Sequence, residues 1–284
     1  MIHKDTLKKE GFLKCRSSRG LTYWCREDSP VKISEELLWA NLFNLESHGR
    51  ADVLMYKEDK RRSVSKVEVN GVDLVFKNFK LSTLRDKCKQ RRFALSEVYN
   101  NLKGERAGLA VPKCYGFFEI RPLRMGPVRY CGVVMECLSD YVLMGDYYDS
   151  MENILKASIP VLEMLYVCGV NYADMSPRNL LIHPETKAVV IIDWQYSKPH
   201  FPEDDIQLIA QAAQFWNAVN VRRFVEMFPQ RELRDRWLCE LHKCCGVTMP
   251  LELFVRNISR LEGKKIHLAS RLSLNCKRLG IERR

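Results

Sequence analysis

Three oxygen-bearing side chains in one short stretch could together do chemistry. Asp174 and Asn179 lie five residues apart, and Asp193 follows in the same segment. A divalent cation bound to a nucleoside triphosphate prefers hard oxygen ligands, usually one or two carboxylates with an amide oxygen. Asn179 and Asp193 supply these two ligand types. A second carboxylate close by, here Asp174, can accept the proton of an attacking hydroxyl and direct that hydroxyl at the terminal phosphate. The three residues therefore indicate metal-assisted phosphoryl transfer.

The residues around these side chains predict a loop followed by a hairpin. Pro177 lies between Asp174 and Asn179, and it lacks the N–H that a continuing helix would need. Leu180–Ile182 and the β-branched run Ala188–Ile192 then predict two strands joined by a turn. The second strand ends directly before the second carboxylate and returns it toward the first. Taken singly, Asp and Asn residues also cap turns, so a purely structural role stays open for each residue alone.

The motif D-x-x-x-x-N, followed by a hairpin and an apolar strand ending in Asp, resembles the catalytic and metal-binding loops of the protein-kinase-like superfamily. The string I-I-D-W is more similar to aminoglycoside and choline phosphotransferases than to protein kinases, and D-M-S-P-R-N is similar to RIO-type and fungal kinase-like sequences. The resemblance implies that Asp174 is the catalytic base, that Asn179 and Asp193 bind Mg²⁺, and that ATP is the donor. Tyr172 and Gln195 depart from the pattern, because the family usually has His and Gly there.

Residues 51–138 predict a small antiparallel lobe. Alternating apolar residues predict strands at Ala51–Tyr56 and Val64–Val69, and Asn70-Gly71 is a strong hairpin signal before a third strand. A fourth and a fifth strand are expected in A-V-P-K-C-Y-G-F-F-E-I and V-R-Y-C-G-V-V-M-E-C-L. The tip from Lys57 to Ser63 has no glycine, whereas protein kinases have a glycine-rich phosphate loop there. Ser63 or backbone N–H groups are expected to contact the phosphate instead. The basic residues of the tip, Lys57, Lys60, Arg61 and Arg62, are the alternative contacts, and a merely solvated tip is the structural interpretation.

The resemblance implies two further site residues in this lobe. Lys77, on the third strand, occupies the place of the family's phosphate-binding lysine, and strand alternation puts it on the same face as Asp73. Glu97 lies on a helix predicted for residues 81–103 and stopped by Gly104. An ion pair with Glu97 would hold the ammonium of Lys77 toward the phosphates. The competing interpretation is that both are ordinary surface residues.

The end of the fifth strand is expected to form the hinge between the lobes. In this family, backbone groups of the hinge bind the adenine edge, so the resemblance implies nucleotide contacts at Met135, Glu136 and Leu138. A plain buried methionine is an equally good interpretation of Met135.

Residues 139–284 predict a mainly helical large lobe. Helices are expected over Val142–Asp149 and Met151–Cys168, with Pro160 kinking or dividing the second one. A later helix begins at Asp205, which resembles the carboxylate that braces the catalytic loop in this family. An ordinary N-cap is the alternative role. The short connection before this helix leaves no room for the peptide-docking segment of a protein kinase. The acceptor is therefore expected to be a small molecule or an atypical protein substrate.

Residues 1–50 predict an N-terminal extension that contains one short helix, capped by Ser34 and running to about Leu45. Its aromatic residues, Tyr23, Trp24 and Trp39, favour packing against the body of the protein over a free tail. An autoregulatory or partner-binding segment is the alternative.

The composition limits which binding partners and which cellular location are expected. The net charge of +11 and the pI of about 9.1 predict attraction for anions, such as a nucleotide, an anionic acceptor, nucleic acid or a membrane surface. No zinc-finger, RNP or helix-turn-helix motif singles out nucleic acid. The eleven cysteines are scattered without a C-x-x-C pair, which is typical of reduced thiols. With no signal region and no transmembrane run, a cytoplasmic or nuclear location is expected.

The sequence thus predicts an α+β, bilobed protein-kinase-like fold with an extension (1–50), a small antiparallel-sheet lobe with one helix (51–138) and a mainly helical large lobe (139–284). The predicted function is ATP- and Mg²⁺-dependent transfer of the terminal phosphoryl group to an unidentified hydroxyl acceptor. The alternative is a catalytically inactive pseudokinase that serves as a binding or scaffolding module. Tyr172 and the glycine-free tip favour the pseudokinase, and the complete set of site residues disfavours it. A nucleic-acid-associated role rests only on charge and on the basic stretch Lys80–Arg92.

Overall fold

The computed structural model describes residues 5–17, 20–47, 53–58, 62–121, 127–172, 174–199, 203–220, 230–264 and 281. The chain divides into two compact units. The first unit comprises Met1–Lys103 with Pro112–Ser139, and the second comprises Gly104–Val111 with Asp140–Arg284. Apolar side chains form cores within each unit.

The first unit is built on a seven-stranded antiparallel sheet. Its strands are β1 (Phe12–Arg16), β2 (Leu21–Arg26), β3 (Val53–Glu58), β4 (Arg62–Val69), β5 (Val72–Lys80), β6 (Cys114–Ile120) and β7 (Tyr130–Glu136). The strand order across the sheet is β1-β2-β6-β7-β5-β4-β3. Asn70 and Gly71, between β4 and β5, both have positive φ, as a tight hairpin turn requires. The five strands expected from the sequence are present, and β1 and β2 extend the sheet beyond β6 without having been predicted.

The first unit also contains α1 (Asp5–Lys9), α2 (Glu35–Ser47) and most of α3 (Leu84–Arg106). Residues of α3 share a core with one face of the sheet, here called the α3 face. Leu38 of α2 shares a core with the opposite face, here called the α2 face. The predicted helix in the N-terminal extension is confirmed, since the Oγ of Ser34 accepts a hydrogen bond from the backbone N of Leu37 at 3.2 Å.

The predicted stop of α3 at Gly104 is wrong. The helix continues to Arg106, and Gly108, with φ of +77°, follows its end. A Cβ at position 104 would lie 3.1 Å from Val111 and 3.3 Å from Trp194. Gly104 therefore permits close packing inside the helix, and Gly108 is the glycine suited to a helix end.

The second unit is mainly helical. Its helices are α4 (Met144–Tyr147), α5 (Met151–Val167), α6 (Asp205–Asn220), α7 (Gln230–Cys244) and α8 (Leu251–Ser259). Its strands are β8 (Val142–Leu143), β9 (Val170–Tyr172), β10 (Leu180–Ile182), β11 (Val189–Ile191) and β12 (Ser197–Pro199). They form one small sheet of order β11-β10-β8 and one pair, β12-β9. The predicted hairpin is present as β10 and β11, in antiparallel register.

Two helix predictions in this unit need correction. The helix expected over Val142–Asp149 is wrong, because the first two residues pair with β10 and only α4 is helical. Pro160 does not divide α5, which runs unbroken and buries an apolar stripe along its length. Tertiary burial thus outweighs the hydrogen bond that the proline cannot donate. Within the described ranges, none of the helices is long and apolar enough to cross a membrane.

Candidate functional site

The loop after β9 joins Asp174 to Asn179 directly. Residues Pro177–Asn179 form one 3₁₀ turn, and the Oγ of Ser176 accepts a hydrogen bond from the backbone N of Arg178 at 3.2 Å. The side-chain Nδ2 of Asn179 donates to the carbonyl oxygen of Asp174 at 2.9 Å. Because the amide nitrogen faces Asp174, the Oδ1 of Asn179 projects from the other corner of the amide group. The nitrogen of the Asn179 amide thus fixes the neighbouring backbone, and the oxygen is the atom that could bind a metal ion.

Asp193 follows the β10–β11 hairpin. The backbone N of Ile192 donates to the carbonyl oxygen of Asn179 at 2.9 Å, so the chain just before Asp193 is tied to Asn179. Asp193 itself is half-buried and has φ of +62°, a left-handed conformation that Asp tolerates better than most residues. The chain therefore turns sharply out of the strand at the carboxylate predicted to bind metal.

Tyr172 also contacts this turn. Its hydroxyl donates to the carbonyl oxygen of Ile192 and lies 3.4 Å from that of Asp193. Its ring packs edge-on against Trp194 with 5.1 Å between the centroids, and both side chains are fully buried. In the sequence analysis Tyr172 was only a departure from the family pattern. Its place two residues before Asp174 was the signal that could have indicated a supporting role.

The oxygen atoms of Asn179 and Asp193 fit Mg²⁺ in type. Mg²⁺ commonly takes one or two carboxylates from the protein and completes its shell with phosphate oxygens and water. Throughout the described ranges, no group of three His, Cys, Asp or Glu side chains is placed to hold a metal ion. A cation bound by these two residues would therefore need further oxygen ligands, which a bound nucleotide can provide.

In the first unit, Lys77 and Glu97 form an ion pair. The Nζ of Lys77, on β5, contacts the Oε1 of Glu97, which lies twenty residues later on α3. The Glu97 side chain is 0% exposed and that of Lys77 is 14% exposed. The interpretation of both as surface residues is therefore wrong. A carboxylate without solvent needs a charged or hydrogen-bonded partner, and this partner fixes the direction of the lysine. The phosphate contact of Lys77 stays a prediction.

The three residues predicted to contact the nucleotide base lie at the end of β7 and just after it. Met135 is buried in the core on the α3 face, opposite Val75 of β5. The backbone N of Glu136 donates to the carbonyl oxygen of Lys113 at 2.8 Å, and the Oε2 of Glu136 accepts from the backbone N of Lys113 at 3.0 Å. Leu138 is half-buried beyond the strand. Their contact with a base stays a prediction.

The predicted role of Asp205 is wrong. Its Oδ1 accepts a hydrogen bond from the hydroxyl of Tyr166 at 2.8 Å, and its Oδ2 accepts from the backbone N of Met249 at 3.1 Å. Burial and this carboxylate raise the pKa of Tyr166, which stays a protonated donor. Helix α6 contacts the strand before the loop through another residue. The Nε2 of Gln211 donates to the carbonyl oxygen of Val170 at 2.9 Å.

Ser63 is not placed to meet a phosphate beside Lys77. It is buried, and its Oγ accepts a hydrogen bond from the Nδ2 of Asn78 at 3.4 Å. Asn78 follows Lys77 in β5, so its side chain lies on the opposite face of the sheet. Residues 59–61, the tip predicted to replace the glycine-rich loop, lie outside the described residues.

No protein-family model matches this sequence, and no curated protein sequence matches it. Among solved structures, WaaP in complex with acyl carrier protein is similar at 17% identity, 85% coverage of this chain, 95% coverage of that chain and a TM-score of 0.47. The Rio2 kinase–ADP/Mg²⁺–phosphoaspartate complex from Chaetomium thermophilum is similar at 15% identity, 90% and 83% coverage, and a TM-score of 0.44.

At these low identities and TM-scores, the fold assignment rests on the elements of this chain. An antiparallel sheet carries a lysine paired to a glutamate of the following helix. A mainly helical unit then presents a hairpin flanked by Asp, Asn and Asp. The predicted α+β class, with an antiparallel-sheet unit followed by a mainly helical unit, is confirmed.

Proposed function

We propose that this protein is a phosphotransferase that moves the terminal phosphoryl group of ATP to a hydroxyl acceptor. The ion pair of Lys77 with the fully buried carboxylate of Glu97 carries the proposal. A buried ion pair adds little stability compared with apolar residues of similar volume, so stability alone does not account for it. It does hold an ammonium in one direction on the sheet face, and such a held ammonium is what the α- and β-phosphates of a nucleotide require.

The residues of the second unit then have separate tasks. Asn179 and Asp193 would hold Mg²⁺, which, when bound, offsets negative charge on the phosphates. Asp174 accepts the proton of the acceptor hydroxyl. A bond forms between the acceptor oxygen and the terminal phosphorus, and the bond from that phosphorus to the bridging oxygen breaks, leaving ADP. Tyr172 keeps the backbone at Asp193 in place during this reaction.

We further propose that the acceptor is a small molecule or an atypical protein substrate that already carries negative charge. The chain between Asp193 and the start of α6 at Asp205 is too short for a peptide-docking segment. The net charge of +11 would attract an anionic acceptor over a distance of about 10 Å at moderate salt.

Thermal denaturation tests nucleotide binding. A ligand at about 100 times its dissociation constant adds roughly 2.7 kcal/mol, and each kcal/mol raises the Tm by about 2–4 °C for a chain of this size. We expect Mg²⁺ with ATP to raise the Tm of the wild type by several degrees and to leave Asp193→Asn nearly unshifted. Asp149→Asn is the matched control, because Asp149 is exposed, and it should shift like the wild type.

Activity measurements on the same proteins separate an enzyme from a scaffold. Asp174→Asn should keep the Tm shift with Mg²⁺ and ATP but lose ADP production in the presence of hydroxyl compounds. A wild type that shifts but produces no ADP with any acceptor would favour the pseudokinase. A wild type without any shift would contradict the proposed function altogether.

A further inference from the structure

A second charged cluster lies on the same sheet face as Lys77. The Nζ of Lys66, on β4, lies 2.5 Å from the Oδ2 of Asp73, on β5. The Oγ of Ser139, just beyond β7, donates to the same Oδ2 at 2.8 Å and accepts from Lys66 at 3.4 Å. These three residues are called the Asp73 bracket below. Lys66 and Asp73 are each 27% exposed, so the bracket is open to a ligand.

The bracket orients the carboxylate of Asp73. Both Lys66 and Ser139 contact Oδ2, whereas Oδ1 accepts no hydrogen bond from any residue that the structure describes. Hydrogen bonds from Lys66 and then Ser139 hold the pKa of Asp73 below its ordinary value. At neutral pH the carboxylate is ionised and therefore acts only as an acceptor. One of its oxygen atoms is anchored, and the other is available.

The position of the bracket matches the length of a nucleotide. Asp73 precedes Lys77 by four residues on one strand, which corresponds to about 13 Å along the sheet face. Val75 lies between them, and Val64 of β4 lies directly opposite Lys77. Binding sites for small molecules usually combine such an apolar surface with a few oriented polar groups. Phosphates at Lys77 and a base over the valines would bring the nucleoside toward Asp73.

We propose that the Oδ1 of Asp73 accepts a hydrogen bond from the nucleoside of the bound nucleotide and so contributes to nucleotide specificity. This inference rests on the proposed function. The donors in adenosine are the ribose hydroxyls and the exocyclic amine of adenine. Acidic side chains bind ribose hydroxyls in other nucleotide sites, and the amine offers the same donor chemistry. Lys66 and Ser139 are positioning residues, because they fix the carboxylate.

The test compares dissociation constants by calorimetry, with Mg²⁺ present, for ADP, 2′,3′-dideoxy-ADP, inosine diphosphate and inorganic tripolyphosphate. Dideoxy-ADP lacks the ribose hydroxyls, and inosine diphosphate lacks the exocyclic amine. We expect the wild type to bind ADP about tenfold more tightly than whichever of these two lacks the donor to Asp73, as is usual for a hydrogen bond to a charged group. Asp73→Ala should bind ADP and that analogue about equally, and Asp73→Asn should show an intermediate preference. Tripolyphosphate should bind wild type and variants equally.

The control is Asp28→Ala. Asp28 is also a carboxylate of the first unit paired with a cation, since it lies 2.7 Å from Arg26. The Asp28→Ala variant should keep the full preference for ADP.

The analogue also identifies the donor. If Asp73→Ala loses the preference for ADP over dideoxy-ADP, the donor is the ribose, and if it loses the preference over inosine diphosphate, the donor is the amine.

Two results would overturn the inference while leaving the proposed function intact. One is an unchanged ratio of ADP to analogue affinity in Asp73→Ala. The other is an equal weakening of tripolyphosphate, which would indicate a general electrostatic or structural effect. A wild type that binds no nucleotide would overturn both proposals. Equal thermal unfolding of wild type and Asp73→Asn without ligand verifies that the comparison is made on folded protein.

Discussion

At the scale of single residues, Ile192 and Tyr172 set the backbone at Asp193. The N–H of Ile192 bonds to Asn179, and its carbonyl accepts from the hydroxyl of Tyr172. Ile192 is thus held at both of its backbone polar groups. Left-handed backbone costs a non-glycine residue of order 1 kcal/mol, and these two bonds help to hold it. The hydroxyl of Tyr172 therefore acts, through the backbone, on the residue that we propose as a metal ligand.

Tyr172→Phe keeps the buried ring and removes the hydroxyl. We expect a loss of about 1–3 kcal/mol in the free energy of unfolding, because the carbonyl of Ile192 loses its donor. We also expect weaker binding of Mg²⁺ with ADP, by about threefold to tenfold, with little change for ADP without Mg²⁺. Urea denaturation and calorimetry measure the two effects.

Tyr147→Phe is the control for this substitution. The hydroxyl of Tyr147 donates to the carbonyl oxygen of Pro184 at 3.2 Å, also in the second unit. Its removal should alter stability modestly and leave the Mg²⁺ dependence unchanged. An identical Mg²⁺ dependence in Tyr172→Phe and wild type would show that Tyr172 is only structural.

At the scale of elements, a buried amide network joins α2 to the sheet. The Nδ2 of Asn41 donates to the Oδ1 of Asn78 at 3.0 Å, and the Oγ of Ser65 donates to the Oδ1 of Asn41 at 3.3 Å. The Nδ2 of Asn78 reaches Ser63. All four side chains are buried on the α2 face. Buried amides need directed partners. The network therefore fixes the position of α2 on β4 and β5, and β5 is the strand that carries Lys77.

A double-mutant cycle with Asn41→Ala and Asn78→Ala tests this network. Each single substitution should cost about 1–3 kcal/mol, because it leaves a buried partner unsatisfied. The double variant should cost less than the sum by at least roughly 0.5 kcal/mol. Urea denaturation of the four proteins gives the coupling energy. Additive costs would mean that the two amides do not stabilise each other.

The sequence predicted elements whose signals are local. The alternation around Asn70-Gly71 defined β4 and β5, and the spacing of polar residues around Pro177 defined the loop. It missed β1 and β2, because their charged residues weaken the alternation and because β6, the partner that joins β2 to the sheet, lies about a hundred residues away in the chain. It misread Gly104, whose lack of a side chain serves packing against a distant tryptophan. Asp205 was misassigned for the same reason, since its partners are distant in sequence.

The same distinction holds within the candidate site. Asp174, Asn179 and Asp193 were named from their chemistry and spacing. Lys77 and Glu97 were named because a known family has these residue types in these places. The bond from Tyr172 to the strand end and the Asp73 bracket were not predicted. Tyr172 bonds to a residue twenty positions later, and the bracket needs Ser139, which lies 66 positions after Asp73, so no local pattern encodes either arrangement.

At the scale of the whole molecule, a segment from early in the chain completes the core of the second unit. This segment is Gly104–Val111, which belongs to the second unit. Its Leu109 is part of that core and is 4% exposed. The carbonyl oxygen of Ala110 accepts a hydrogen bond from the backbone N of Ile191 at 3.0 Å. The edge of β11 is therefore covered by a segment some eighty residues upstream, and a fragment beginning at Asp140 would lack it.

Leu109→Ala tests this arrangement. We expect a loss of about 2–5 kcal/mol, because the substitution leaves a cavity in the core, which corresponds to several degrees in Tm. Hydrogen exchange should show faster exchange at the amides of β10 and β11. Leu84→Ala on α3 is the control, since Leu84 is 76% exposed, and it should change stability by less than about 0.5 kcal/mol. Equal effects of the two substitutions would contradict the assignment of Leu109 to that core.

The pairing of β2 with β6 has a practical consequence for shortened versions of the protein. A chain started at residue 51 would lack β1, β2 and α2, leaving the backbone of β6 unpaired along one side and the apolar α2 face uncovered. Open strand edges beside bare apolar surface recruit other chains. Truncation at that point is expected to yield inclusion bodies or soluble aggregates, so expression trials should keep the first fifty residues.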